Sequence, residues 1–106
     1  MDAFYALAEP RRRKIMELLA ANGILTATQI CRKFDVSAQA ISQHLKVLLN
    51  AKLVNVEKHS QKRMYSINQE SLIEMENWIE VTTMQWNNRL DKLDKLLANT
   101  DKRIKK

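Results

Sequence analysis

The sequence predicts a mainly α-helical fold with one small β-hairpin, and three patterns within residues 26–63 support this. Two short amphipathic helical segments follow each other, with a polar turn between them. Two segments of alternating apolar and polar residues come next, as in the strands of a hairpin. Helix, turn, helix and hairpin in this order are typical of a winged helix-turn-helix. We expect one such domain over residues 1–98, with extended terminal helices.

The first helix of the pair begins at a capping box. Thr26 is followed three residues later by Gln29, and such a pair satisfies the free amides at a helix start. Cys31 falls on the apolar side of this helix, where a lone thiol is expected to be a small core residue rather than a redox switch. Ser37 follows a polar turn and is predicted to cap the second helix.

The second helix has one apolar side and one polar side. Ile41, Leu45, Leu48 and Leu49 recur at spacings of three and four residues and predict the buried side. The opposite side is small, polar and almost uncharged, and it consists of Ser37, Ala38, Gln39, Ser42, Gln43 and Lys46. Amide side chains can pair with base edges in the DNA major groove. An ordinary amphipathic helix with a wet polar face is the alternative.

The hairpin has a basic tip. Residues 53–58 and 63–67 alternate in polarity and predict its strands. The turn lacks glycine, so we expect a loop longer than two residues. Cationic or protonatable side chains cluster at the tip: Lys58, His59, Lys62 and Arg63. Contact with a phosphate backbone is the functional interpretation, and a solvated hairpin end is the alternative.

A further helix precedes this region. Pro10 suits its first position and Gly23 its end. Arg11, Arg12 and Arg13 lie in its first turn, where the helix dipole disfavours cations. Nearby carboxylates or DNA phosphates would compensate for their charge, and both interpretations stay open.

A long helix is predicted over residues 69–98, because apolar side chains recur at alternating steps of three and four. At 1.5 Å per residue it would extend about 45 Å, so part of its apolar seam would stay wet in a monomer. A second copy of the chain is expected to cover it, together with apolar residues near the N-terminus. The predicted interface comprises Phe4, Leu7, Leu72, Met75, Ile79, Thr83, Trp86, Leu90, Leu93 and Leu97. Residues 99–106 are expected to form a basic, flexible tail.

Charge is divided unevenly along the chain. Residues 1–68 hold eleven Lys or Arg against five Asp or Glu, a balance of +6, whereas residues 69–98 hold three against six, a balance of −3. The positive charge therefore lies with the predicted helix pair and hairpin, and favours an anionic polymer as partner. The sequence has neither an apolar leader nor an apolar stretch of about twenty residues, and it has a single Cys, so we expect a cytoplasmic protein without a membrane span.

The chain resembles the ArsR-type family of bacterial winged-helix transcription regulators from residue 4 to about residue 97. Residues 6–19, ALAEPRRRKIMELL, are similar to the family's opening pattern LADPTRRxILxLL. The segments ISQHLKVL (41–48), AKLV (51–54) and MYSI (64–67) resemble its helix-turn-helix core and second wing strand. Lys52 stands where the family commonly has Gly.

The resemblance implies a homodimer, formed through the first and last helices, that binds palindromic double-stranded DNA and represses its own or a neighbouring promoter. It also implies that His44 contacts phosphate or packs between helices. The family's metal-sensing members carry a cysteine pair where this chain has Thr26 and Thr28, so we expect no metal and no cofactor. An effector of another kind is left open.

Catalysis is not expected. The sequence contains no nucleophile with an adjacent base, no phosphate-binding glycine loop and no metal cluster. The alternative to a DNA-binding regulator is a winged-helix module that docks proteins, because a fold does not fix a function. A docking module would need no basic hairpin tip.

Overall fold

The computed structural model describes the backbone of residues 2–104 and the side chains of residues 2–99. Its elements are α1 (Ala3–Leu7), α2 (Pro10–Asn22), β1 (Leu25–Thr26), α3 (Ala27–Arg32), α4 (Ala38–Asn50), β2 (Val54–His59), β3 (Lys62–Ile67) and α5 (Gln69–Ile104). The chain divides into a first unit that ends at Ile73 and a second unit that begins at Glu74. The predicted fold class, a winged helix-turn-helix with a long last helix, is confirmed.

The helix starts lie where the capping residues predict them. Pro10 occupies the first turn of α2, and Gly23 ends that helix with a φ of +86°. The capping box at α3 is complete: the Gln29 amide N–H donates to the Thr26 hydroxyl at 3.1 Å, and the Gln29 side-chain oxygen accepts from the Thr26 amide at 2.9 Å. Ser37 caps α4 by accepting from the Ala40 amide at 3.1 Å. Local hydrogen bonding therefore sets these boundaries.

The sheet has three antiparallel strands in the order β1-β3-β2. The sequence predicts β2 and β3 but not β1, which is only two residues long. Leu25 pairs with Tyr65 and Thr26 with Met64, so β1 extends the hairpin by one short strand. Because β1 runs directly into α3, this pairing fixes the start of α3 next to the wing, which is the hairpin of β2 and β3.

The wing loop is shorter than predicted. His59 pairs with Lys62, which leaves Ser60 and Gln61 as a two-residue loop. Ser60 has a φ of +60°. A positive φ at the first central position is the feature of a type II′ turn, whose twist matches the strands it joins. Serine takes the position that glycine usually occupies, so the expectation of a longer loop, which rested on the missing glycine, is wrong.

A Schellman motif ends α4. The Lys52 amide donates to the Leu49 carbonyl and the Leu53 amide to the Leu48 carbonyl, both at 3.0 Å. Lys52 itself has a φ of +61°. This is the left-handed position that glycine usually fills, and it is where the chain departs from the family pattern. The hydroxyl of Ser71 donates to the Lys52 carbonyl and ties the start of α5 to this turn.

The core of the first unit is aliphatic, and its fully buried side chains come from several elements. They are Ile15, Leu19, Ile30, Ile41, Leu48, Leu53 and Val54. Leu49 departs from the prediction, because it is 37% exposed. Successive helix residues are about 100° apart, so Leu49 is turned away from the buried side that Leu48 marks.

In the second unit, α5 continues to Ile104, beyond the predicted end near Ala98. Residues 99–104 contain neither glycine nor proline, the residues that most readily stop a helix. The backbone of the predicted tail is thus helical to Ile104, and residues 105–106 lie outside the described residues. All described side chains from Glu76 to Asn99 are exposed. No helix among the described residues is both long and apolar enough to cross a membrane.

Candidate nucleic-acid interface

The polar side of α4 is exposed along its length. Ile41, Leu45 and Leu48 are buried, which anchors the helix to the core. The predicted reading residues all point outward: Ser37, Ala38, Gln39, Ser42, Gln43 and Lys46 are exposed. No acidic residue lies among them. This face therefore offers hydrogen-bonding amides and hydroxyls, with one cation toward its C-terminal end.

The wing tip brings like charges together. Lys58 lies directly opposite Arg63, and His59 opposite Lys62. Cross-strand pairs of like charge destabilise a hairpin unless an anion compensates them. His59 has such a partner, because its Nε2 lies 3.2 Å from the Glu57 carboxylate. For Lys58 and Arg63, no carboxylate contact is described, and both side chains are exposed.

A basic cleft separates the start of α3 from the wing tip. Its volume is about 490 Å³. The lining residues are Thr26, Ala27, Thr28, Gln29, Arg32, Gln61, Lys62 and Arg63. Three of these side chains are cationic and none is acidic. An anion such as a phosphate group suits this lining, because charge-assisted donors and neutral amides surround it.

Arg32 is the residue of this cleft that the sequence analysis missed. It lies at the end of α3 and carries no signal of its own in the sequence. The pairing of β1 with β3 and the contact of α3 with β3 place α3 beside the wing, and a two-residue strand leaves no periodicity to detect. Arg32 therefore adds one cation to the predicted set near the wing tip.

A smaller cavity of about 250 Å³ lies between α4 and the wing. Ala38 and Ser42 of α4 line it together with Thr28 and Cys31 of α3 and Arg63 of β3. Ala38 and Ser42 of the predicted DNA-binding face and Arg63 of the hairpin tip therefore line one cavity. Cys31 is half-buried here.

His44 lies on a different side of α4. Its side chain is 16% exposed, and its Nδ1 lies 3.3 Å from the Arg12 guanidinium and 4.0 Å from the Glu9 carboxylate. These contacts fit packing between helices, which is one of the two roles that the sequence left open. Arg12 is engaged within the protein, whereas Arg11 and Arg13 are exposed.

The Glu9 carboxyl group, which lies beside this contact, has a lowered pKa. Partial desolvation acts to raise the pKa of its carboxyl group. The backbone N–H groups of Arg12 and Arg11 donate to it, and the positive charge of the Arg12 side chain lies nearby. These effects together hold the pKa below its ordinary value of 4.5. The carboxylate is thus ionised at neutral pH and caps the start of α2.

The positions of the family's cysteine pair serve a structural purpose here. The Thr26 hydroxyl caps α3, and Thr28 lines the basic cleft. Within the part of the chain that the structure describes, no group of three or more His, Cys, Asp or Glu side chains is placed to hold a metal ion.

The predicted dimer-interface residues fall into two groups. Phe4 is exposed on α1, whereas Leu7 and Leu72 are half-buried in the first unit. On α5, Met75 is half-buried, and the members further along the seam are exposed: Ile79, Thr83, Trp86, Leu90, Leu93 and Leu97. From Ile79 onward they alternate in steps of four and three, which is the spacing of a coiled-coil seam.

The fold and this surface define a winged helix-turn-helix protein with an exposed recognition helix and a basic wing. The family model for the bacterial regulatory proteins of the arsR family matches residues 9–56. The transcriptional repressor SdpR of Bacillus subtilis (strain 168) is 36% identical over 78 residues, which cover 74% of this chain and 86% of the relative. An arsenical resistance operon repressor of Staphylococcus xylosus is 36% identical over 62% of each chain.

A solved structure gives the same result for the fold. An ArsR-like transcriptional regulator from Rhodococcus sp. RHA1 superposes with a TM-score of 0.79 at 26% identity, over 88% of this chain and 87% of the other. The chain belongs to the arsR family of bacterial regulatory proteins. This confirms the predicted family, and membership in a family of regulators confirms the prediction that the protein is not an enzyme.

Proposed function

We propose that this protein is a homodimeric, sequence-specific DNA-binding repressor that acts in the cytoplasm without a metal-sensing site. The main support for this proposal is that α4 and the basic wing line a common cavity. Ala38, Gln39, Gln43 and Lys46 would contact base edges, whereas Ser37 and Ser42 would contact the flanking phosphates. Lys58, His59, Lys62 and Arg63 would hold the neighbouring backbone, with Arg32 beside them.

The chemistry of α4 supports base reading. Gln side chains can form two hydrogen bonds with adenine in the major groove, and small neighbours such as Ala38 and Ser42 let the helix backbone approach the bases. Exposure of all these side chains leaves them available to a ligand. Phosphate contacts from the wing would fix position and orientation but not sequence.

The seam on α5 supports a dimer. A single helix cannot enclose a core, and exposed Trp86, Leu90, Leu93 and Leu97 leave an apolar stripe in contact with water. A second copy presents the same stripe and would cover it through an isologous contact. Two recognition helices would then meet an inverted repeat with half-sites about 10 base pairs apart.

Repression would follow from occupation of a promoter by the dimer. The similarity to SdpR and to arsenical resistance repressors supports repression over activation. Thr26 and Thr28 in place of the family's cysteine pair support control that does not depend on a soft metal, and an effector of another kind or simple autorepression would fit equally.

Selection of duplexes from a random library at about 50 mM salt tests the proposal. We expect enrichment of an inverted repeat, and sedimentation of the complex should give two protomers for each duplex. Addition of zinc or arsenite should not change the selected sequence or its affinity. Absence of any enriched sequence would contradict the proposal, and it would favour the alternative of a protein-docking module.

A protein-docking module would differ in its salt dependence. Binding through α4 to a protein partner would change little between about 50 and 200 mM salt, whereas binding to duplex DNA should weaken by orders of magnitude. The basic wing and cleft favour the DNA-binding function, because a docking surface has no need for uncompensated cations at this edge.

A further inference from the structure

The side chain of Arg12 connects three elements. Its Nε donates to the Ala6 carbonyl of α1 at 2.6 Å, and one of its terminal nitrogens lies 3.3 Å from Nδ1 of His44 on α4. The guanidinium carbon lies 5.8 Å from the centre of the Tyr5 ring, within cation–π range. The Arg12 backbone amide donates to the Glu9 carboxylate at 3.1 Å. One residue near the start of α2 therefore contacts both α1 and α4.

The contact between Arg12 and His44 requires one particular tautomer of the His44 ring. A guanidinium group only donates hydrogen bonds, so His44 must accept through Nδ1 and carry its hydrogen on Nε2. Protonation of His44 would place a hydrogen on Nδ1, remove this acceptor and set two cations 3.3 Å apart. The Glu9 carboxylate lies 4.0 Å from the same nitrogen.

The position of His44 makes the contact relevant to base reading. It directly follows Gln43, and a helix turns by about 100° per residue, so the two side chains leave α4 in fixed relative directions. Apolar packing by Ile41 and Leu45 sets which side of α4 faces the core, and the contact between Arg12 and His44 adds a directional restraint to that packing. A hydrogen bond is directional and is lost when its angle changes substantially.

We propose that Arg12 and His44 are positioning residues that fix the rotation of α4 against α1 and α2, so that Gln39 and Gln43 meet base edges in register. The inference rests on the proposed function of α4 in DNA reading. It also links the N-terminal segment, whose Phe4 belongs to the proposed dimer interface, to the DNA-reading face. Neither residue needs to touch DNA for this role.

Four variants test the inference. Arg12→Gln removes the terminal guanidinium nitrogen that contacts His44, and His44→Leu removes the acceptor. His44→Asn is the conservative replacement, because the Asn side-chain oxygen lies the same number of bonds from the backbone as Nδ1 and can accept from Arg12. Arg13→Gln is the matched control, since it removes an exposed arginine from the same turn.

The readout is the ratio of Kd for a scrambled duplex to Kd for the selected operator. We expect Arg12→Gln and His44→Leu to lower this ratio about tenfold, comparable to one mismatched base pair. The unfolding temperature and the sedimentation coefficient of the dimer should report whether each variant folds and dimerises. His44→Asn should retain most of the discrimination, and Arg13→Gln should leave the ratio unchanged, even where it weakens binding to both duplexes.

A second measurement needs no DNA. Nitrogen-15 NMR of the imidazole ring in wild-type protein at about pH 8 should show His44 neutral, with its hydrogen on Nε2. The opposite tautomer would overturn the contact itself. If the wild type discriminates between duplexes and folded His44→Leu discriminates equally well, the positioning role alone is overturned. A wild type without any preference would overturn the proposed function of α4 and this role with it.

Discussion

Removal of two wing cations should flatten the salt dependence of DNA binding by a calculable amount. In the double variant Lys62→Ala, Arg63→Ala, each protomer loses two exposed cations that line the basic cleft. A dimer would then lose four phosphate contacts. Each contact contributes about 0.9 to the slope of log affinity against log salt concentration, so the slope should become shallower by about 3.6.

This change is large enough to measure directly. Between about 50 and 200 mM salt, the affinity of the wild type should fall about 150-fold further than that of the variant. Fluorescence anisotropy with a labelled duplex at four or five salt concentrations gives both slopes. Because the wing is proposed to contact phosphates and not bases, the flattening should be equal for the operator and for a scrambled duplex.

A matched control separates wing position from net charge. Lys92→Ala, Lys95→Ala removes the same charge from α5, where helical periodicity places both residues on the side opposite the apolar seam. This control should keep the wild-type slope. An unchanged slope in the wing variant, or an equal flattening in the control, would refute the reasoning that assigns the wing to phosphate contact.

Four further predictions concern the reading face, the seam, the α4 turn and the α2 cap. Gln43→Ala should relax discrimination between operator variants by about 1–3 kcal/mol at one base position, and equal loss on all duplexes in a binding assay would contradict base reading. Leu90→Lys should yield a monomer by sedimentation with much weaker operator binding, and a stable dimer would disprove the seam. Lys52→Gly should raise the free energy of unfolding in urea by about 1 kcal/mol, because it relieves a positive φ; an unchanged midpoint would show that Lys52 is unstrained. The native pKa of Glu9 is lowered, so its carboxylate stabilises the folded state above pH 4.5, and this stabilisation is lost as pH falls through the lower native pKa. The difference in unfolding midpoint between the wild type and Glu9→Gln should therefore shrink as pH falls over that range, and it should not change over pH 6–8.

The predictions that succeeded rest on local chemistry. Pro10, Thr26 with Gln29, and Ser37 set helix starts through hydrogen bonds or backbone geometry within one turn, so their effect can be read without knowledge of the rest of the fold. The apolar spacing of Ile41, Leu45 and Leu48 likewise identified the buried side of α4, because a helix fixes which residues share a face.

The features that the sequence did not predict correctly depend on how the strands pair. The strand β1 is too short to show alternation, and it exists because β3 offers it an open edge at Tyr65 and Met64. Arg32 joins the basic cleft because that pairing and the contact of α3 with β3 place α3 beside the wing. The turn at Ser60 adopts a positive φ without glycine, since the strand register requires a two-residue connection there.

The role of His44 shows a third case. Its sequence neighbours place it on α4 beside the reading residues, and both phosphate contact and helix packing fit that position. The structure adds a contact with Arg12, which lies 32 positions earlier in the sequence and approaches His44 only in the folded chain. No pattern within α4 carries this information.

The central claim is that α4 lies in the major groove of the operator. Dimethyl sulfate footprinting of the selected operator tests this claim most directly. The reagent methylates N7 of guanine in the major groove and N3 of adenine in the minor groove. We expect protection of guanine N7 at two positions about 10 base pairs apart, related by the symmetry of the operator. Protection confined to adenine N3, or a single protected site, would contradict a dimer that reads two successive major grooves through α4.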